Sequence, residues 1–169
     1  MAAGAERYAA DMSFWSVLQD AFAEGADEGA HGAPTDLLID AMVLAAKADR
    51  HVQKEEMGRI AALLTKHFRS FRDRSDGAVM DALHASAGRL AGLGDLDAQL
   101  SGLASRLQAH GTFASEKAFA LAYAVLLADG GLNERERGFA DRLREALGLD
   151  RARADEIERD LDAALSASP

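Results

Sequence analysis

Two stretches of this chain are apolar on almost every side at helical spacing, and they constrain the fold more than any other feature. They begin 80 positions apart and read TDLLIDAMVLAAKAD from Thr35 and SEKAFALAYAVLLAD from Ser115. A helix without a polar face must be covered by other elements on most sides. We therefore expect these two helices to pack against each other at the centre of a helical bundle.

The rest of the chain carries narrower apolar stripes at helical spacing, and no segment alternates polar and apolar residues as a strand does. Abundant alanine, leucine, arginine and glutamate, together with few β-branched residues, favour helix over strand. A length of 169 residues fits one domain with its own core. We predict an all-α fold, a single-domain bundle of about eight helices. The predicted helices cover residues 8–24, 35–50, 53–71, 76–93, 96–109, 115–129, 134–147 and 151–165.

Capping residues mark several of these predicted helix ends. Ser75, Ser115 and Asp150 have side-chain oxygens that suit the N-cap position. Gly94 is the expected left-handed residue at the end of the helix that Ser75 begins.

The first 34 residues are predicted to form an N-terminal helix followed by a flexible linker, and residues 35–169 form the helical domain. Residues 24–34, EGADEGAHGAP, are rich in glycine, alanine and acid, as linkers often are. The N-terminal helix carries an apolar stripe that we expect to pack on the same chain or on a dimer mate. The stripe consists of Phe14, Trp15, Leu18 and Phe22.

A net charge of −9 at pH 7 and a pI near 5.0 oppose nonspecific binding to nucleic acids or anionic lipids, because affinity for phosphate comes largely from lysine and arginine.

No apolar run reaches the roughly 18 residues of a membrane span, and the N-terminus lacks the pattern of a secretory signal. The absence of cysteine excludes disulfides, thiolate zinc sites and cysteine nucleophiles. We expect a cytoplasmic protein without direct membrane insertion.

The two apolar stretches belong to a longer internal repeat. It continues through ADRHVQKEEMG at residues 48–58 and ADGGLNERERG at residues 128–138. Both copies have Ala-Asp, an aliphatic residue, a glutamate and a glycine at matching positions. We predict an internal duplication of a helix-turn-helix unit, in which each unit buries the apolar face of the other. Two copies alone do not indicate a long solenoid.

The motifs KADRHVQKEE and LADGGLNERE resemble the A-D-G-x-[IVL]-x-x-x-E signature of the tellurite-resistance TerB-like family. The resemblance covers about residues 35–147. It includes the turn within KADRHVQKEE, which we call the first acidic turn, and the turn within LADGGLNERE, which we call the second acidic turn. The second copy fits the signature, whereas the first has Arg50 in place of the glycine. The resemblance implies a small, all-α, internally duplicated protein associated with bacterial stress. It also implies that the acidic positions are candidate metal ligands and that no common enzymatic reaction is expected.

The acids of the two turns can form metal sites if the two central helices pack antiparallel. Each turn alone offers only two carboxylates, and it is not an EF-hand, because Val125 and Leu127 would fall on the first and third ligand positions. Antiparallel packing brings the acid at the start of one central helix to the turn that follows the other. Carboxylate oxygens favour Ca²⁺, Mg²⁺ or Mn²⁺. The two expected clusters are Asp36, Asp129 and Glu136, and Glu116, Asp49 and Glu56.

A purely structural interpretation of the same acids stays open. Asn133 and Glu136 have the N-x-x-E spacing of a capping box. Asp36 and Glu116 lie in predicted first turns, where the helix dipole favours acids. If cations do bind, the second turn is expected to be the better site, because the glycines at 130–131 let its backbone fold tightly around an ion.

Two functions are compatible with these features. In the first, the chain is a non-catalytic TerB-like stress or scaffold protein linked to tellurite resistance. Its partners are then a divalent cation and other proteins, among them membrane-associated proteins and a second copy of the chain. In the second, it is a hydrolase that uses the acidic clusters around Mg²⁺ or Mn²⁺. Metal hydrolases usually carry a fuller constellation with a dedicated base, so we expect that the chain is not an enzyme.

Overall fold

The computed structural model describes residues 35–49, 54–67, 74–128 and 131–166. These ranges contain seven α-helices, one 3₁₀ turn and no strand, which confirms the all-α, single-domain class. The predicted N-terminal helix with its stripe of Phe14, Trp15, Leu18 and Phe22 lies outside the described residues. The helices are α1 (Thr35–Ala46), α2 (Lys54–His67), α3 (Asp76–Ala91), α4 (Leu96–Gln108), α5 (Thr112–Leu127), α6 (Glu134–Leu147) and α7 (Arg151–Ser166), and the 3₁₀ turn Lys47–Asp49 follows α1.

The centre of the bundle is the pair formed by α1 and α5, which share the most extensive contact between any two described helices. Leu38 and Met42 of α1 are buried, as is Leu121 of α5, whereas Val125 is half-buried and packs against the same core. The prediction that the two apolar helices lie against each other is therefore confirmed.

The other helices cover this pair. The helices α3 and α4 pack against α1, whereas α4, α6 and α7 pack against α5. Each covering helix contributes an apolar stripe and leaves its charged face to solvent, as amphipathic helices do. The helix α7, for example, buries Ala154, Ile157 and Leu161 at helical spacing.

One predicted cap and the bounds of one predicted helix are confirmed. The Ser75 hydroxyl accepts a hydrogen bond from the Ala78 N–H at 3.2 Å, so Ser75 is the N-cap of α3. The helix α6 has the predicted bounds, and its C-cap Gly148 is left-handed at φ +68°. Asp95 caps α4 by accepting the Ala98 N–H at 2.9 Å, which the sequence analysis did not predict.

Two predicted helix ends are wrong. The helix α5 begins at Thr112 after Gly111, whose φ of +93° sets the start of the helix, so Ser115 is a buried residue inside the first turns and not an N-cap. The helix α3 ends at Ala91 with a right-handed Gly92 at φ −75°. Gly94 does adopt a positive φ of +98°, but in the loop that leads to α4.

The internal duplication stays a prediction. Thr35 is the first residue of α1, whereas the matching Ser115 is the fourth residue of α5, so the two units begin differently. The 3₁₀ turn, which belongs to the first motif, packs against α6, which belongs to the second. The two repeated motifs therefore meet at one end of the bundle.

A buried acid links α1 to two covering helices. The Asp40 side chain is only 3% exposed. Its Oδ1 accepts hydrogen bonds from the Ser86 hydroxyl at 2.5 Å and from Arg89 Nη2 at 2.8 Å. Arg106 Nη1 lies 3.8 Å from Oδ2. Because Ser86 and Arg89 belong to α3 and Arg106 to α4, this carboxylate fixes how both helices sit on α1.

We expect the substitution Asp40→Ala to lower the free energy of unfolding by roughly 1.5–3 kcal/mol, because it removes charge-assisted hydrogen bonds from a buried hydroxyl and a guanidinium. Urea unfolding followed by circular dichroism measures this loss. The matched control is Asp97→Ala, which removes an exposed partner of Arg142 and should cost less than about 1 kcal/mol. Equal losses for the two variants would contradict the structural role of Asp40.

Candidate functional site

The end of the second acidic turn is fixed by a capping box, as the sequence predicts. Asn133 Oδ1 accepts the Glu136 N–H at 2.9 Å, and Glu136 Oε2 accepts the Asn133 N–H at 2.8 Å. Glu136 is only 8% exposed, while Leu132 is half-buried and packs against the core. The turn therefore presents a buried carboxylate, one oxygen of which already accepts a backbone N–H.

The structure leaves the first predicted cluster untested. Asp36 is exposed in the first turn of α1, where its charge suits the helix dipole. Asp129 lies outside the described residues. Asp49 ends the 3₁₀ turn and Glu56 lies in α2, but their side chains are also outside the described part. The convergence of Asp36, Asp129 and Glu136 thus stays a prediction.

Glu116 has a partner that the sequence analysis did not identify. Both of its carboxylate oxygens accept hydrogen bonds from Arg153 of α7, at 3.1 Å from Nε to Oε1 and 3.0 Å from Nη2 to Oε2. Arg153 Nη1 also contacts Glu156 at 2.7 Å. The hydrogen bonds that Arg153 donates to Glu116 raise the pKa of Arg153 above its ordinary value, although burial opposes this. A cation that binds Glu116 would have to displace Arg153 from this bidentate ion pair.

Among the residues that the structure describes, no three histidine or acidic side chains lie close enough together to hold a metal ion. Asp36, Glu116 and Glu136 therefore do not form a site by themselves. A cation site built on these turns depends on Asp129, or on Asp49 and Glu56.

A second titratable cluster lies between α5, α6 and α7. It borders a cavity of about 540 Å³ lined by Tyr123, Arg137, Glu158 and Asp162, among others. Burial raises the pKa of Tyr123 to about 12, and the charges of Glu158 and Asp162 add to this effect. Burial also raises the pKa of Glu158, even though Arg137 lies 3.3 Å from its carboxylate. The Tyr123 phenol therefore keeps its proton to a higher pH than an ordinary tyrosine does.

Lys117 is a buried cation inside α5. It is only 5% exposed, and its Nζ lies 5.0 Å from the centroid of the Phe113 ring, a cation–π distance. Burial lowers its pKa below the ordinary value. The sequence signal was a lysine at the start of the long apolar run of α5, directly after Glu116.

In the part of the chain that the structure covers, no helix combines the length and apolarity needed to cross a lipid bilayer.

Comparison with known proteins gives one result. A family model described as "Tellurite resistance protein TerB" matches residues 35–159, which is more than half of the chain and includes both acidic turns. No curated protein and no solved structure gave a significant match. The resemblance drawn from the two signature motifs is thereby confirmed.

We expect the Tyr123 phenol to titrate near pH 12 instead of at its ordinary value of 10.0. The folded protein then keeps a proton that the unfolded chain releases, so the contribution of Tyr123 to stability falls as the pH rises from about 10 to about 12. The substitution Tyr8→Phe leaves Tyr123 as the sole tyrosine, and phenolate absorbance then reports its midpoint.

The added substitution Glu158→Gln removes a negative charge next to this phenol and should lower the midpoint. A midpoint at the ordinary value in the Tyr8→Phe protein would show that Tyr123 is not buried as described.

Proposed function

The chain belongs to the TerB family of tellurite resistance proteins, and on that premise we propose that it acts as a non-catalytic binding protein in the tellurite response. In this proposal a divalent cation binds at the second acidic turn, and the helical bundle serves as a scaffold for protein partners.

The main support for the proposed cation site is that the carboxylate of Glu136 is buried. An acid that is 8% exposed loses much of its hydration, so a nearby positive charge stabilises its ionised form. The capping box holds this carboxylate at the end of the turn that contains Asp129. Asp36, in the first turn of α1, is exposed and has hard oxygen donors of the kind that Ca²⁺, Mg²⁺ and Mn²⁺ accept.

The first turn is the weaker candidate because Glu116, its third expected ligand, is held by Arg153 on both oxygens. The proposed primary ligands are therefore Asp129, Glu136 and Asp36. The bound cation supplies the positive charge that offsets the mutual repulsion of these carboxylates.

The ion pairs of the described residues support a binding role over a catalytic one. Asp40 and Glu116 are both held by arginines from neighbouring helices. Acids engaged in this way stabilise the packing of helices and are not poised as general bases, which need access to a substrate proton. A bundle whose helices are fixed by such pairs is suited to present constant surfaces to a protein partner.

We expect Ca²⁺, Mg²⁺ or Mn²⁺ to raise the melting temperature of metal-stripped protein and to release or absorb heat on titration. The stabilisation follows mass action and reaches about 2.7 kcal/mol at a free cation concentration one hundred times Kd. Asp129→Asn should abolish most of this gain, whereas the matched variant Asp49→Asn should retain most of it. Chelation should reverse the effect.

Two results would contradict the proposal. One is a melting temperature and a titration heat that no divalent cation changes. The other is an equal loss of the cation-dependent gain in Asp129→Asn and Asp49→Asn, which would show that the second turn has no special role.

A further inference from the structure

A cationic cavity lies where the 3₁₀ turn, the start of α4 and one face of α6 come together. Its volume is about 700 Å³, and the basic side chains that line it are Lys47, Arg135 and Arg142. Leu96 and the buried Phe139 form an apolar part of its wall. None of the described residues that line this cavity is acidic, although the whole chain has a net charge of −9.

The other described cavities contain acidic side chains as well as basic ones. The one between α5, α6 and α7 contains three acids of α7 beside its arginines. The one between α4 and α6 contains Asp97 and Glu145. The basic side chains in those cavities therefore face carboxylates of the same chain. In the cavity beside the 3₁₀ turn, the described lining contains basic side chains and no acid.

The charges of this cavity are largely available to a ligand. Arg142 is paired with the exposed Asp97. Lys47 and Arg135 have no ion-pair or hydrogen-bond partner for their side chains in the part of the chain that the structure describes. Bringing Lys47 and Arg135 together beside Arg142 is electrostatically unfavourable because like charges repel, and an anion bound between them offsets that repulsion.

The α6 side of the cavity is one continuous helix face. Arg135, Phe139 and Arg142 follow one another at steps of four and three residues, which place their side chains in a row. Guanidinium groups match the geometry of phosphate and carboxylate oxygens, and the ring of Phe139 offers apolar contact beside them. A volume of about 700 Å³ lies within the range of small-molecule sites.

We propose that this cavity binds a small organic anion, in which an oxyanion group contacts Lys47 and Arg135 and an apolar body packs against Phe139 and Leu96. Binding at this cavity does not require the proposed cation site, because none of Lys47, Arg135, Phe139 and Leu96 is a proposed cation ligand.

Three probes separate the contributions of the two halves of such a ligand. Phenyl phosphate carries both halves, inorganic phosphate only the oxyanion and phenol only the apolar body. Calorimetric titration of the full chain should give the tightest binding for phenyl phosphate. Inorganic phosphate binding as tightly as phenyl phosphate would show that only a free oxyanion is bound, and would overturn the proposal, as would the absence of binding by phenyl phosphate.

Charge removal tests the cationic side of the cavity. Arg135→Gln and Lys47→Gln should each weaken phenyl phosphate binding by about tenfold, the loss expected for one charge-assisted contact. The matched control is Arg159→Gln, which removes the same charge from an exposed arginine of α7 outside this cavity. A loss in the control equal to that in Arg135→Gln would reduce the effect to net charge and would contradict the proposal.

Filling the cavity tests its location without changing charge. Gly138 lies in the cavity wall, and a Cβ built on it meets no atom within 4 Å. Gly138→Leu should therefore place its side chain in the cavity and abolish phenyl phosphate binding, while the helix keeps its stability because glycine is a poor helix former. Gly88→Leu, at an equally open helix position outside the cavity, should leave binding unchanged. Unaltered binding in a folded Gly138→Leu protein would overturn the proposal.

Discussion

The packing of α1 against α5 is the interaction on which the rest of the structure depends. Neither helix has a polar face of its own, so each is stable in water only while the other elements cover it. This requirement makes the remaining helices a layer around the pair. It also means that a polar group on the pair must find its partner within the protein. Asp40 meets Ser86 and Arg89 in this way, and Lys117 lies over the ring of Phe113.

The sequence predicted those parts of the fold that depend on local chemistry. The apolar run of α1 and the box of Asn133 and Glu136 act over a few residues, so pattern alone was enough to place them. The start of α5 was missed because Ser115 is a good N-cap in isolation, whereas the packed helix begins three residues earlier at Thr112, after its N-cap Gly111. The partner of Glu116 was missed because Arg153 lies 37 positions away in the chain, and only the packing of α7 on α5 brings the two together.

Both proposed binding sites include a residue from the first turn of α6. The 3₁₀ turn that ends the first central helix packs against α6, which begins after the second acidic turn. That end of the bundle therefore combines the buried carboxylate of Glu136 with the cationic cavity lined by Lys47 and Arg135. The acids of α7, by contrast, lie beside Tyr123 and Arg137 on a different face.

We propose that the second acidic turn is the better of the two cation sites and binds a divalent cation before any other acidic surface of the chain. Paramagnetic Mn²⁺ broadens the nuclear magnetic resonance signals of nearby amides, so a titration with small amounts of Mn²⁺ locates the ion directly. The account predicts that the amides of residues 131–136 and of Asp36 lose intensity first, while those around Asp155 and Asp162 in α7 are retained. Selective broadening along α7, or uniform broadening over all exposed acids, would contradict it.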